Sequence, residues 1–138
     1  MLERVQANAP DIVELDLTSL SRRNRRLGER GGVLLARSLY TNTTVTTIKL
    51  NEHDIGTPGA KALGDALREN ETITHLDLYG NQITDEGVIS IALSLYGHSS
   101  LTHLSLRSNS ITDIGALALA HMLKCNTTLK VCNSDIYV

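Results

Sequence analysis

Phenylalanine and tryptophan are absent from this chain of 138 residues, and tyrosine occurs only four times. The hydrophobic core therefore has to be built from leucine, isoleucine, valine and alanine. Cysteine is also scarce, because Cys125 and Cys132 are the only two. Two cysteines cannot make a disulfide framework, and their spacing matches no zinc site. We therefore predict a protein of a reducing compartment, with a cytoplasmic location.

The sequence also lacks an excess of basic charge and any long apolar run. The formal net charge is -2 and the pI is about 6.2, which argues against a general nucleic-acid partner. The apolar runs are too short to span a bilayer, and the start of the chain lacks the apolar region of a signal peptide. We therefore expect neither nucleic acid nor a membrane among its partners.

The chain does have a pattern that repeats every 28 residues. In its most regular copy, apolar residues, an asparagine and a glycine stand at fixed positions: Ile73, Leu76, Leu78, Asn81, Ile83 and Gly87. Matching residue types stand one period earlier and one period later, except that His53 takes the place of the asparagine, where we expect it to be a structural substitute. Units start at Val45, Ile73, Leu101 and Leu129, after a less regular unit that starts at Ile12. This spacing of leucines is the signature of leucine-rich repeats.

Each unit is predicted to form a short strand followed by a helix. Ile73, Leu76 and Leu78 point inward, and the residues between them face solvent. Asn81 can bond the backbone of the neighbouring turn, and Gly87 lets the helix pack closely. Because no unit buries its own apolar face, successive units must stack. We predict an α/β fold, a right-handed leucine-rich-repeat solenoid with a parallel sheet on the concave side and helices on the convex side.

The predicted boundaries describe a single domain. It covers residues 1–138, with an N-terminal cap helix in 1–11, repeats starting near 12, 45, 73 and 101, and a truncated unit or cap in 129–138.

Two kinds of polar residue are predicted to mark the helix ends. Thr57 and Thr84 suit the N-cap position, where a hydroxyl accepts a hydrogen bond from a free backbone N–H. Asn42, Asn70 and Asn126 follow helices, where asparagine tolerates the left-handed conformation that ends a helix.

A 28-residue period with a true helix in each unit resembles the ribonuclease-inhibitor-like class of leucine-rich repeats. This class also supplies the repeat domains of NOD-like receptors and of tropomodulin. The opening segment 2–12 is similar to the start of the tropomodulin repeat domain and of small leucine-rich-repeat effectors made by intracellular bacteria. The resemblance implies a protein that binds other proteins. For a bacterial effector, the expected location is the host cytosol.

The solvent-facing strand positions on the concave face form the first candidate site. The predicted partner-binding residues are Glu14, Asp16, Lys49, Asn51, Glu52, His75, Asp77, Tyr79, His103, Ser105 and Arg107. Tyr79 and Arg107 belong to the residue types that most often anchor interfaces. Adjacent parallel strands lie about 4.8 Å apart, so His75 and His103 are predicted to be neighbours. With Asp77 they could hold a metal, but a repeated polar residue is the simpler explanation, and no metal is predicted.

An arginine-rich insertion in the first unit is a secondary candidate. It contains Arg22, Arg23, Arg25 and Arg26. Insertions between repeat elements map to loops, often on the binding side. Guanidinium groups suit an acidic protein surface or a phosphate, while a solvated loop is the alternative.

An apolar helix face is the other secondary candidate. Ile89, Leu93 and Tyr96 lie at i, i+4 and i+7, where a solenoid helix is normally polar. These residues indicate a contact site or the flank of an oligomer, unless the helix is rotated so that part of the face is buried.

No catalytic arrangement is present in the sequence. It lacks a phosphate-binding glycine loop, a nucleophile elbow and the metalloprotease histidine pattern, so we predict no enzyme and no cofactor. The leading hypothesis is a module that binds a folded protein on its concave face and inhibits an enzyme by covering its active site. The alternatives are a tropomodulin-like actin-binding module and a ligand-sensing fragment of a NOD-like receptor. We expect a monomer, or a heterodimer with the partner.

Overall fold

The computed structural model describes residues 1–21 and 25–133. Its elements alternate between strands and helices after a short N-terminal helix. The helices are α1 (Leu2–Gln6), α2 (Thr18–Ser21), α3 (Gly28–Leu39), α4 (Gly56–Glu69), α5 (Asp85–Leu95) and α6 (Asp113–Cys125). The strands are β1 (Glu14–Asp16), β2 (Thr47–Lys49), β3 (His75–Asp77), β4 (His103–Ser105) and β5 (Val131–Asn133). No described helix is long and apolar enough to cross a membrane.

The five strands form one parallel sheet in sequence order, β1-β2-β3-β4-β5. Each strand pairs in register with its equivalent in the next unit, so that Ile48 faces Leu76 and Leu76 faces Leu104. The central residue of each three-residue strand points into the core, and its two neighbours point away. The predicted α/β leucine-rich-repeat solenoid, with a parallel sheet and helices, is confirmed.

The helices lie side by side against the inner face of the sheet. Leu63 and Leu67 of α4, and Ile91 and Leu95 of α5, are at most 2% exposed. Gly87 allows the close approach that the sequence predicted, because a Cβ there would lie 2.7 Å from Ile83 and 2.9 Å from the Cβ of Ala60. Leucine, isoleucine, valine and alanine therefore make up most of the core of the described residues, with Met122 also buried in it.

A first polar ladder follows the strands. Asn81 Oδ1 accepts hydrogen bonds from the backbone N–H groups of His53 and Ile55, and its Nδ2 donates to the carbonyl of Leu50. Asn109 repeats these contacts one unit later. His53 takes the same place one unit earlier, with Nδ1 accepting from the N–H of Leu27. The predicted ladder is thus present, with histidine as a structural substitute.

A second polar ladder follows the helices and corrects one prediction. Asn42, Asn70 and Asn126 do not adopt the left-handed conformation, since none has a positive φ. Each is buried, and its amide donates to a carbonyl of the preceding unit; Asn70 Nδ2, for example, lies 2.8 Å from Leu39 O. The Oδ1 atoms accept backbone N–H groups two and three residues onward. His98 fills the equivalent position in the third unit.

The predicted threonine caps are only partly right. Thr84 is the N-cap residue of α5, but its side chain accepts no capping hydrogen bond. Its hydroxyl instead lies 2.7 Å from the hydroxyl of Thr57. Thr57 is not a cap, because α4 already begins at Gly56, whose φ is +62°. Thr112 does cap α6, accepting from the N–H of Ile114.

Candidate protein-binding face

The outward side chains of the five strands form a continuous polar surface, which we call the sheet face. Strand pairing arranges them in two rows across the sheet. The first row is Glu14, Thr47, His75, His103 and Val131, and the second is Asp16, Lys49, Asp77, Ser105 and Asn133. The central strands enclose a shallow groove of about 210 Å³ between these rows. The predicted strand residues therefore lie together on one surface.

Two histidines stack at the centre of the first row. The ring centroids of His75 and His103 are 4.1 Å apart with an interplanar angle of 10°, which confirms that they are neighbours. Nδ1 of each ring lies 2.8 Å from the hydroxyl of the threonine before it, Thr74 or Thr102. Each hydroxyl also lies within hydrogen-bond distance of a backbone carbonyl, at 3.1 Å for Thr74 and Thr46 O and 3.0 Å for Thr102 and Thr74 O.

The threonine hydroxyls hold the orientation of both rings. Each hydroxyl can donate to Nδ1 or accept from Nδ1–H, so the contact engages Nδ1 in either tautomer. Nε2 is the ring nitrogen that the threonines leave unengaged. Partial burial, and then the neighbouring His103, lower the pKa of His75.

The sheet face holds no cluster of metal ligands. Among residues 1–21 and 25–133, no three His, Cys, Asp or Glu side chains come together as a possible metal site. The carboxylate of Asp77 is engaged elsewhere, accepting from the amide of Asn51 at 2.9 Å and from the N–H of Tyr79 at 3.1 Å. The His75–His103 pair therefore has no carboxylate ligand beside it.

One end of the sheet face carries a compact charge cluster. Lys49 Nζ lies 2.6 Å from a carboxylate oxygen of Glu14 and 3.4 Å from one of Asp16. The hydrogen bond to Glu14 raises the pKa of Lys49. Hydrogen bonds from Thr18 lower the pKa of Asp16. The cluster carries one net negative charge, so this end of the face offers a carboxylate to a partner.

The residues just after the strands extend the sheet face. Tyr79 is 36% exposed, and Arg107 is exposed at the equivalent position one unit later. Glu52 is also exposed, with a φ of +60° in the turn after β2. Asn51 is half-buried, and no described residue donates to its Oδ1, which is inaccessible to solvent. This row supplies the largest exposed side chains of the sheet face.

The arginine insertion is only partly described. Arg22 and Arg23 lie outside the described residues. Arg25 is exposed, whereas Arg26 forms an ion pair with Asp54 at 2.8 Å, and Gln82 also donates to Asp54. At least one of the four arginines is therefore paired within the repeat stack.

The apolar helix face is exposed along much of its length. Leu93 is 58% exposed and Tyr96 40%, while Ile89 is half-buried. Ile114 and Leu117 of α6, 65% and 59% exposed, form the other wall of a groove of about 270 Å³. We call this the helix groove. The helix is therefore not rotated inward at Leu93 or Tyr96.

Three contributing residues were not identified as functional from the sequence. Thr74 and Thr102 orient the histidine rings, and Ile114 belongs to the helix groove. The signal for the threonines was the dipeptide Thr-His at the same position in two successive units. Ile114 gives no such signal, because the equivalent residue one period earlier is the charged Glu86.

The fold and its polar outer face define a repeat solenoid of the kind that binds other proteins. The family described as Leucine Rich repeat matches residues 41–64, 69–92 and 97–120, just over half of the chain. The chain belongs to this leucine-rich-repeat family. No curated protein matches the sequence.

Two solved structures share the whole architecture. One is described as actin-binding site 2 of leiomodin-1, with 26% identity, a TM-score of 0.83 and coverage of 99% of this chain and 78% of that one. The other is the C-terminal domain of tropomodulin from Caenorhabditis elegans, with 12% identity, a TM-score of 0.85 and coverage of 99% and 81%. The likeness to tropomodulin repeat domains is confirmed, and the fold is that of a protein-interaction module.

Proposed function

We propose that this chain is an actin-binding module. The observation that supports the proposal is the likeness to the leiomodin-1 domain, which is described as an actin-binding site and matches 99% of this chain at 26% identity. The tropomodulin domain, at 12% identity, supports the fold alone. Actin binding was the alternative hypothesis from the sequence.

We propose the sheet face as the contact surface. Its side chains lie outside the core, so they are available to a partner without cost to the fold. Tyr79 and Arg107 would anchor the contact, because tyrosine and arginine supply much of the binding energy in protein interfaces. The carboxylates beside Lys49 would fix the orientation of the partner through charge complementarity. The sequence-based hypothesis of enzyme inhibition stays a prediction, because nothing among the described residues is specific for an enzyme.

Binding to purified actin tests the function directly. Monomeric actin is titrated into the chain by calorimetry, and filamentous actin is tested by co-sedimentation. We expect saturable binding to at least one form. A dissociation constant above about 100 μM for both forms would overturn the proposal. An unrelated leucine-rich-repeat protein of similar size serves as the control for non-specific binding.

A further inference from the structure

We propose that the stacked pair His75–His103 is a proton-gated site for a carboxylate of a partner protein. After uptake of one proton the pair carries a positive charge and binds an aspartate or glutamate side chain. The inference rests on the proposed function only for the choice of the sheet face as the docking surface.

The two rings are oriented so that the same nitrogen of each ring is available to a ligand. Strand register places His75 opposite His103, and the rings stack 4.1 Å apart. Thr74 and Thr102 engage the Nδ1 atoms, which leaves Nε2 of each ring as the nitrogen available to a partner. No described residue forms a hydrogen bond with either Nε2. Both rings line the groove of the sheet face, so a ligand can reach them.

The short distance between the rings affects how many protons the pair binds. Two imidazolium charges at this separation repel each other. The first proton meets no such repulsion, whereas the second does. With one proton, the pair carries one positive charge. Partial burial is the larger cause of the lowered pKa of His75, and the neighbouring His103 is the second cause.

The charged groups around the pair on β2 and β3 are balanced or hydrogen-bonded elsewhere. On β2, Lys49 is balanced by Glu14 and Asp16 of β1. On β3, Asp77 is held by hydrogen bonds from other groups. β4 adds only the neutral Ser105, and β5 adds Val131 and Asn133, preceded by the exposed Lys130. No described carboxylate is bonded to the pair, so a positive charge there is left for an external anion.

The protonated pair suits a carboxylate ligand. A protonated Nε2–H donates a charge-assisted hydrogen bond, which carboxylates accept strongly. The site therefore fits an acidic residue in a peptide segment better than an isolated cation or an apolar group.

Nuclear magnetic resonance of the imidazole groups tests the inference without actin. The probe is an N-acetylated, C-amidated tetraglutamate peptide, with the tetraglutamine peptide as its neutral match. We expect the glutamate peptide to bind about tenfold more tightly at about pH 5.5 than at about pH 7.5 and to shift the His75 and His103 signals. The glutamine peptide should show no pH dependence.

Variants localise the effect. His75→Gln and His103→Gln should each remove the tighter binding at acidic pH, whereas His121→Gln, at a lone exposed histidine of α6, should preserve it. Equal affinity at both pH values, or an equal loss in His121→Gln, would overturn the inference. So would ring signals that do not titrate between about pH 5 and pH 7.5 in the wild type, a result that needs no variant to fold.

Actin binding at neutral pH separates this inference from the proposed function. A chain that binds the acidic peptide in a pH-dependent manner but does not bind actin would keep this site and overturn the actin proposal. A chain that binds actin but shows no proton-dependent peptide binding would keep the actin proposal and overturn this site.

Discussion

We predict that His98 makes the stability of the solenoid depend on pH, because it stands in the second polar ladder where the other units have asparagine. Its Nε2 lies 3.0 Å from the carbonyl of Asn70 and donates to it. Its Nδ1 accepts from the N–H of Leu101 at 3.1 Å and of Ser100 at 3.4 Å. Nδ1 must therefore stay unprotonated in the folded chain. Burial lowers the pKa of His98, in agreement with this geometry.

The lowered pKa of His98 determines the direction in which the stability of the fold changes with pH. In the unfolded chain the imidazole takes up a proton near its ordinary pKa of about 6.5. In the folded chain uptake is delayed to lower pH, because a proton on Nδ1 would break its two accepted hydrogen bonds. The full stability is thus present above about pH 6.5 and is lost as the pH falls through the lowered folded value. Two buried hydrogen bonds at about 0.5–1.5 kcal/mol each give a loss of about 1–3 kcal/mol.

His98→Asn isolates this contribution. Asparagine carries one donor and one acceptor for the same places and does not titrate. We expect the variant to be within about 1 kcal/mol of the wild type at about pH 7.5, and more stable than it by about 1–3 kcal/mol at about pH 5. Urea unfolding followed by circular dichroism measures both values, with His121→Gln as the control. An unchanged pH dependence in His98→Asn would refute the reasoning.

Two further predictions concern the ladder and the packing of the helices. Asn81→Ala should lower the free energy of unfolding by about 2–4 kcal/mol, since it leaves two backbone N–H groups and one carbonyl unpaired; a loss below about 0.5 kcal/mol in urea unfolding would show that the ladder is dispensable. Gly87→Ala should cost about 1–3 kcal/mol through contact with Ile83 and Ala60, whereas Gly97→Ala, with no atom within 4 Å of the added Cβ, should be tolerated. Equal melting temperatures for the two glycine variants would contradict the packing argument.

The period of the sequence was enough to predict which residues are neighbours across the sheet. Parallel strands in successive units stand 28 residues apart, so the adjacency of His75 and His103 follows once the repeat is recognised. The same reasoning accounts for Arg26 and Asp54, which are also 28 residues apart and form an ion pair. Equivalent residues one repeat period apart in the sequence are therefore neighbours in the folded chain.

Side-chain direction at the ends of the elements was not predictable in the same way. An asparagine after a helix suits both a left-handed end and a buried ladder, and only the packing against the preceding unit decides that Asn70 turns inward. Thr57 lies two residues after Ile55, the N-cap residue of α4, because the helix already begins at Gly56, which adopts a positive φ. The orientation of the stacked histidines depends on hydroxyl contacts of Thr74 and Thr102 that no sequence pattern specifies.

The proposed actin-binding face of the solenoid is tested most directly by the dissociation constants of four alanine variants. Tyr79→Ala and Arg107→Ala on the sheet face should each cost about 2 kcal/mol of binding, a weakening of about 30-fold. Leu93→Ala and Tyr96→Ala in the helix groove should leave the constant unchanged. Circular dichroism first establishes that all four variants fold. Loss of actin binding in the helix-groove variants, with no change in the sheet-face variants, would contradict the account and move the site to the opposite side of the solenoid.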